Sequence, residues 1–97
     1  MDRGEAIARL RAHETELRGL GVEHLYLFGS TARDEASEAS DVDLFFDDSI
    51  GSIGFYQLMD IEEFAAAVLG SKTDVMTRRS LHPLIRDAIE ASAVKVF

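Results

Sequence analysis

The sequence predicts an α/β domain, a small mixed sheet with helices packed on it. Three observations carry this. Apolar-rich runs of strand length stand at Val22 to Phe28 and at Val42 to Phe46, and a short β-branched one at Lys72 to Thr77. Segments with helical apolar spacing precede, separate and follow them. Glycine, serine, aspartate and proline mark the boundaries, so elements alternate instead of grouping by type.

Taken in order, Asp2 to Leu20 has the spacing of one amphipathic helix, with Ile7, Leu10, Leu17 and Leu20 on a stripe and Gly19 and Gly21 at its end. His13 and Glu14 fall within the stripe, where His13 reads as a structural polar contact. Val22 to Phe28 is apolar on both faces, as a strand covered on both sides requires. A short helix follows Gly29-Ser30, and Glu35 to Ser40, without period, is a loop. Val42 to Phe46 is the second strand, and 47–54 a surface connection in which Asp47 and Asp48 are expected to face solvent. Phe55 to Leu69 is the second long helix, with Phe55, Leu58, Met59, Phe64, Ala65, Val68 and Leu69 as its core face and Gly70 as its stop. Lys72 to Thr77 is a short third strand. Arg78-Arg79 is a basic pair, solvated or on the rim of a site. Ser80 or His82 caps a last helix that has Pro83 in its first turn and Leu84, Ile85, Ala88 and Ile89 as its buried face. Ala93 to Phe97 adds an edge strand.

Ninety-seven residues make one domain over 1–97 with a single core. Hydrophobic residues at 46% and charged residues at 29% are those of a soluble globular chain, so disorder is not expected. No apolar run has membrane-spanning length and the start lacks a basic stretch leading into an apolar one. A cytoplasmic location without membrane association is therefore expected. Without cysteine there is no disulfide, thiolate nucleophile or cysteine-type zinc site. Ten basic residues against eighteen acids give a net charge of −8, which repels a long nucleic acid. A metal-bound nucleoside triphosphate is a different case, because the cation offsets both sets of negative charge.

The chemistry concentrates in Phe28-Gly29-Ser30-Thr31-Ala32-Arg33 and in Asp41-Val42-Asp43-Leu44. A Gly-Ser corner between strand and helix suits a phosphate: glycine admits a ligand to the backbone, amides point outward and the Ser30 hydroxyl adds a donor. Asp41 and Asp43, two apart in an extended run, share a face and present hard oxygen ligands suited to magnesium. Each half alone has a plainer reading, a turn and helix cap for Gly29-Ser30 and a strand-end cap for Asp41. Jointly they point to a metal nucleotide site. Asp74 is the one acid of the third strand, and an aspartate beside Val75 and Met76 needs a partner or a cation.

Gly-Ser, ten residues, then Asp-x-Asp with Ser40 directly before it resembles the signature of the nucleotidyltransferase superfamily that includes DNA polymerase β. The short chain resembles its minimal members, the MNT proteins, from Val22 to Phe97. The resemblance implies a nucleotidyltransferase fold and transfer of AMP from ATP to a hydroxyl with two magnesium ions. It implies Asp41, Asp43 and Asp74 as catalytic and metal-binding residues, and Gly29, Ser30 and Arg33 as nucleotide-binding residues. Stand-alone MNT proteins resemble antitoxins whose partner is a HEPN ribonuclease toxin, which implies protein adenylylation on a tyrosine of that partner. Two alternatives stay open: an antitoxin acting by contact alone, and a catalytic subunit of a small-molecule nucleotidyltransferase. Where family members often carry glycine after the arginine, this chain has Asp34, expected to add negative charge near the phosphates.

Overall fold

The computed structural model describes residues 1–37, 40–49 and 53–97. Its elements are α1 (Arg3–Arg11), α2 (Glu14–Gly19), β1 (Val22–Phe28), α3 (Gly29–Ala32), β2 (Val42–Asp48), α4 (Phe55–Leu69) and β3 (Thr73–Thr77). A 3-10 turn (Arg78–Ser80), α5 (Pro83–Ser92) and β4 (Val94–Lys95) follow. The four strands form one sheet in the order β3-β2-β1-β4. β1 is antiparallel to both β2 and β4, whereas β2 and β3 are parallel. That parallel pair requires a crossover, and α4 is its helix. The expected mixed sheet with helices is the observed fold. Parts of both expected connections, 38–39 and 50–52, lie outside the described residues.

Strand parity separates two faces. Leu25 and Leu27 of β1, Val42, Leu44 and Phe46 of β2 and Val75 of β3 point into the main core, where they meet Ala6 and Leu10 of α1, Leu17 of α2 and Ile61, Ala65 and Leu69 of α4. An irregularity in pairing between Val22 and His24 shifts the parity, so Val22 joins Leu25 on the same core side. The opposite face carries Tyr26, Phe28, Asp43, Phe45, Asp74 and Met76. Phe45 is fully buried there, stacked on Tyr26 at 4.8 Å between centroids and tilted against Phe28 at 5.6 Å.

Three expectations need correction. The first helix is two helices, broken at Ala12-His13, where His13 leaves helical geometry at φ −115° and ψ 24°. Its imidazole bonds Glu16 at 2.6 Å and lies edge-on to Phe64, which anchors the bend against α4. Burial on α4 is complete only from Ile61 onward: Phe55 is 70% exposed and Met59 43%. The last helix has no fully buried residue, with Leu84 89% exposed and Ile85 51%. Helical periodicity identifies residues that share a stripe, whereas docking decides whether anything covers the stripe.

The ends of the elements agree with the sequence. Asp2 caps α1 by accepting from the Glu5 amide at 2.7 Å. Gly70 closes α4 in the left-handed region at φ 65°, its amide bonded to the Ala66 carbonyl. His82, not Ser80, caps α5, with Nδ1 accepting from the Leu84 amide at 3.1 Å.

Candidate active site

β1 ends at Phe28, whose partner on β2 is Asp43, so the Gly-Ser corner emerges beside the second acid of the Asp-x-Asp stretch. Gly29 has φ 75°, and a Cβ placed on it would collide with the Asp43 carboxylate oxygen Oδ2. Glycine is thus required twice here, by the left-handed backbone and by the carboxylate lying against it. The two halves of the motif, apart in sequence, form one corner in space.

Asp43 also stands in register with Asp74 on the parallel strand β3. Their side chains share the face opposite the main core. Asp43 is half-buried, and its carboxyl is held above its ordinary value by that burial first, then by the negative charges of Asp74 and Asp41, with Arg33 pulling it back. Like charges collected at one point with too little solvent are what a cation would relieve.

Asp41 lies one residue before β2, not within it. Its carboxylate is 3.6 Å from the Lys72 ammonium, a neighbour that the sequence reading did not single out. The only hint was that Lys72 opens the strand of Asp74. Arg33 follows α3 and bonds Glu35 at 3.0 Å while remaining half-exposed near the corner. Ser30 sits half-buried in the first turn of α3. That helix has only four residues, so the corner offers local amides and a hydroxyl and little helix dipole.

Asp34, expected to add negative charge near the phosphates, has its carboxylate bonded to the start of α1. It has φ 59°, a left-handed conformation that glycine adopts freely, and its Oδ1 accepts from the Arg3 amide at 3.0 Å. Its charge is tied to the start of α1. Arg78, read as solvated or on the rim of a site, is instead partly buried and bonds Asp47 and Glu90, whereas Arg79 stays half-exposed while pairing with Asp48. These bonds also correct the expectation that Asp47 and Asp48 face solvent.

Above the acids runs an open groove of about 510 Å³, with Asp43, Asp74 and Phe28 on its sheet side and His82, Ile85 and Ile89 on its α5 side. A second groove of about 390 Å³ lies on the other side of Ile85 and Ile89, lined by Gly29, Arg33 and Ser92. Both meet at Phe28. Among the described residues no group of three or more histidine, cysteine or acidic side chains forms a ready cage for a metal. Magnesium needs none, since it takes one or two protein carboxylates and fills its shell with water and substrate phosphates. The Asp43–Asp74 pair, with its mutual repulsion, fits that requirement.

The chain matches the nucleotidyltransferase domain family over residues 10–96. It is 37% identical over 89 residues to the protein adenylyltransferase MntA of Thermococcus cleftensis, covering 90% of this chain and 88% of that one. A solved structure assigned to the minimal nucleotidyltransferases superposes with a TM-score of 0.82 at 29% identity, over 97% of this chain and 95% of the other. An MNT antitoxin, solved in complex with the tri-AMPylated HEPN toxin of Shewanella oneidensis, shares the fold at a TM-score of 0.65 and 17% identity, over 90% and 68% of the two chains. No helix among the described residues is long and apolar enough to cross a membrane. With motif, sheet topology and family match in agreement, the chain belongs to the nucleotidyltransferase family, among its minimal members.

Proposed function

We propose that this nucleotidyltransferase moves AMP from magnesium-bound ATP to a hydroxyl, that of a tyrosine on a HEPN ribonuclease toxin, and so serves as the antitoxin of the pair. The observation that carries the reading is the Asp43–Asp74 register pair set against the Gly29 corner beneath an open groove. The likeness to a protein adenylyltransferase and to an antitoxin solved with an AMPylated toxin supports the choice of substrate and partner.

In the reaction the acceptor oxygen forms a bond to the α-phosphorus, the bond to the β-phosphate oxygen breaks, and pyrophosphate leaves with its electrons. When bound, magnesium held by Asp41, Asp43 and Asp74 supplies acidity to the acceptor hydroxyl and positive charge to the leaving group. Gly29 admits the triphosphate to the backbone, where Ser30 donates from its hydroxyl and Arg33 adds charge. Asp74, at the groove edge, takes the acceptor proton.

The experiment is co-expression with the product of the neighbouring gene, followed by incubation with ATP and magnesium and an intact-mass measurement of that product. Adenylyl increments on the partner are expected, with none when Asp41→Ala and Asp43→Ala are combined. If that double variant still protects cells at matched expression, contact alone is the function. Labelling of a small hydroxylated molecule with an unmodified partner would place the chain in a small-molecule transferase.

A further inference from the structure

α5 roofs the catalytic groove yet has no fully buried residue, so core packing does not set its height. Its chain ends are tethered, one through the 3-10 turn to β3 and the other through β4, which pairs with β1. Between those tethers two polar bonds tie α5 to the 3-10 turn: Arg86 Nη2, near its start, donates to the Arg79 carbonyl at 3.0 Å, and toward its end the Glu90 Oε2 accepts from Arg78 Nη1 at 2.5 Å. Arg78 is itself held at several points. Its Nε and Nη2 donate to the two Asp47 oxygens at 2.7 and 3.1 Å, and its guanidinium lies over the rings of Tyr26 and Phe45 at 4.6 and 5.0 Å. A planar donor fork clamped by a carboxylate and two rings gives Glu90 a fixed point.

The consequence is geometric. Ile89 precedes Glu90, Ile85 stands one turn earlier, and both line the groove across from Asp43 and Asp74. They also wall the second groove beside Gly29 and Arg33. We propose that the Glu90–Arg78 contact sets the position of α5 over the two grooves, so that Glu90 and Arg78 are positioning residues for the bound nucleotide. The proposal rests on the nucleotidyl-transfer reading of this site. Both partners are about 30% exposed, so the pair contributes little to folding, and its effect belongs to ligand geometry.

Glu90→Ala and Glu90→Gln test it, with ATP–magnesium affinity measured by calorimetry and the KM and kcat of transfer measured with the partner toxin. Glu90→Ala is expected to weaken nucleotide binding and raise the KM for ATP about tenfold, with kcat within about threefold of the parent. Glu90→Gln is expected to recover most of the loss, since its amide oxygen still accepts from Arg78. Both variants should melt close to the parent. Unchanged affinity in Glu90→Ala, or equal loss of melting temperature and affinity in both variants, would overturn the proposal. A parent that binds ATP with magnesium but transfers nothing counts against the transfer reading, while the calorimetric comparison still decides the role of Glu90. A parent that binds no nucleotide overturns both.

Discussion

Asp43 on β2 and Asp74 on β3 stand level on adjacent parallel strands, on the sheet face away from the main core. The folded chain therefore gathers like charges that its unfolded form keeps apart. Because the Asp43 carboxyl is held above its ordinary value, its protonated form favours the folded state. That contribution is fully present below the unfolded value and is lost as pH rises through the folded one. Asp43→Asn should then melt at or above the parent at neutral pH without metal, the gap closing on acidification, while transfer falls at least about a hundredfold. Thermal melts across pH, paired with a transfer assay, check both halves; a mutant that melts well below the parent would make Asp43 structural.

Magnesium removal supplies the second test. The carboxylates at the groove repel a triphosphate on their own, so calorimetry should show ATP affinity collapsing when the cation is chelated. Equal affinity with and without magnesium would mean that the phosphates are held without Asp43 and Asp74.

Gly29 and Gly70 both have positive φ but differ in their surroundings. Gly29→Ala meets Asp43 and a left-handed backbone, and should cost about 1–3 kcal/mol together with most of the activity. Gly70→Ala has no atom closer than 4.0 Å to its new Cβ, and should cost about 1 kcal/mol with transfer retained. Denaturant melts and transfer rates on the two variants separate backbone strain from damage to the corner.

Asp34 gives a substitution with opposing terms. Asp34→Gly relieves the φ 59° conformation and loses the bond to the Arg3 amide, so stability should stay within about 1 kcal/mol of the parent. ATP affinity should also be unchanged, because the carboxylate is engaged at α1. Tighter ATP binding by Asp34→Gly would show that the charge acts on the phosphates after all.

Two helices with similar sequence patterns should respond differently to substitution. Ile61→Ala empties a site that is 1% exposed and should cost about 2–5 kcal/mol. Leu84→Ser, at 89% exposure, should stay within about 0.5 kcal/mol in the isolated chain. Denaturant midpoints at constant slope compare them directly.

The elements were legible in the sequence because their causes are local. Strand length, alternation and turn residues marked β1, β2 and β3, Gly70 marked the end of α4, and the tail alternation marked β4. The corner was legible for the same reason: Gly29-Ser30 and Asp41-Val42-Asp43 each carry their chemistry in adjacent residues, and Asp74 was conspicuous as an acid in an apolar strand. Only the tertiary structure decided what those residues meet. Antiparallel pairing of β1 with β2 laid Asp43 against Gly29, and the parallel crossover brought Asp74 to its level. Which apolar stripes are covered was likewise a matter of docking, so α4 has its fully buried residues only from Ile61 onward and α5 has none. Charged pairs were the least legible. Arg78 reaches Asp47 across 31 residues and Glu90 across 12, and long side chains choose among many nearby acids by geometry that no local pattern encodes.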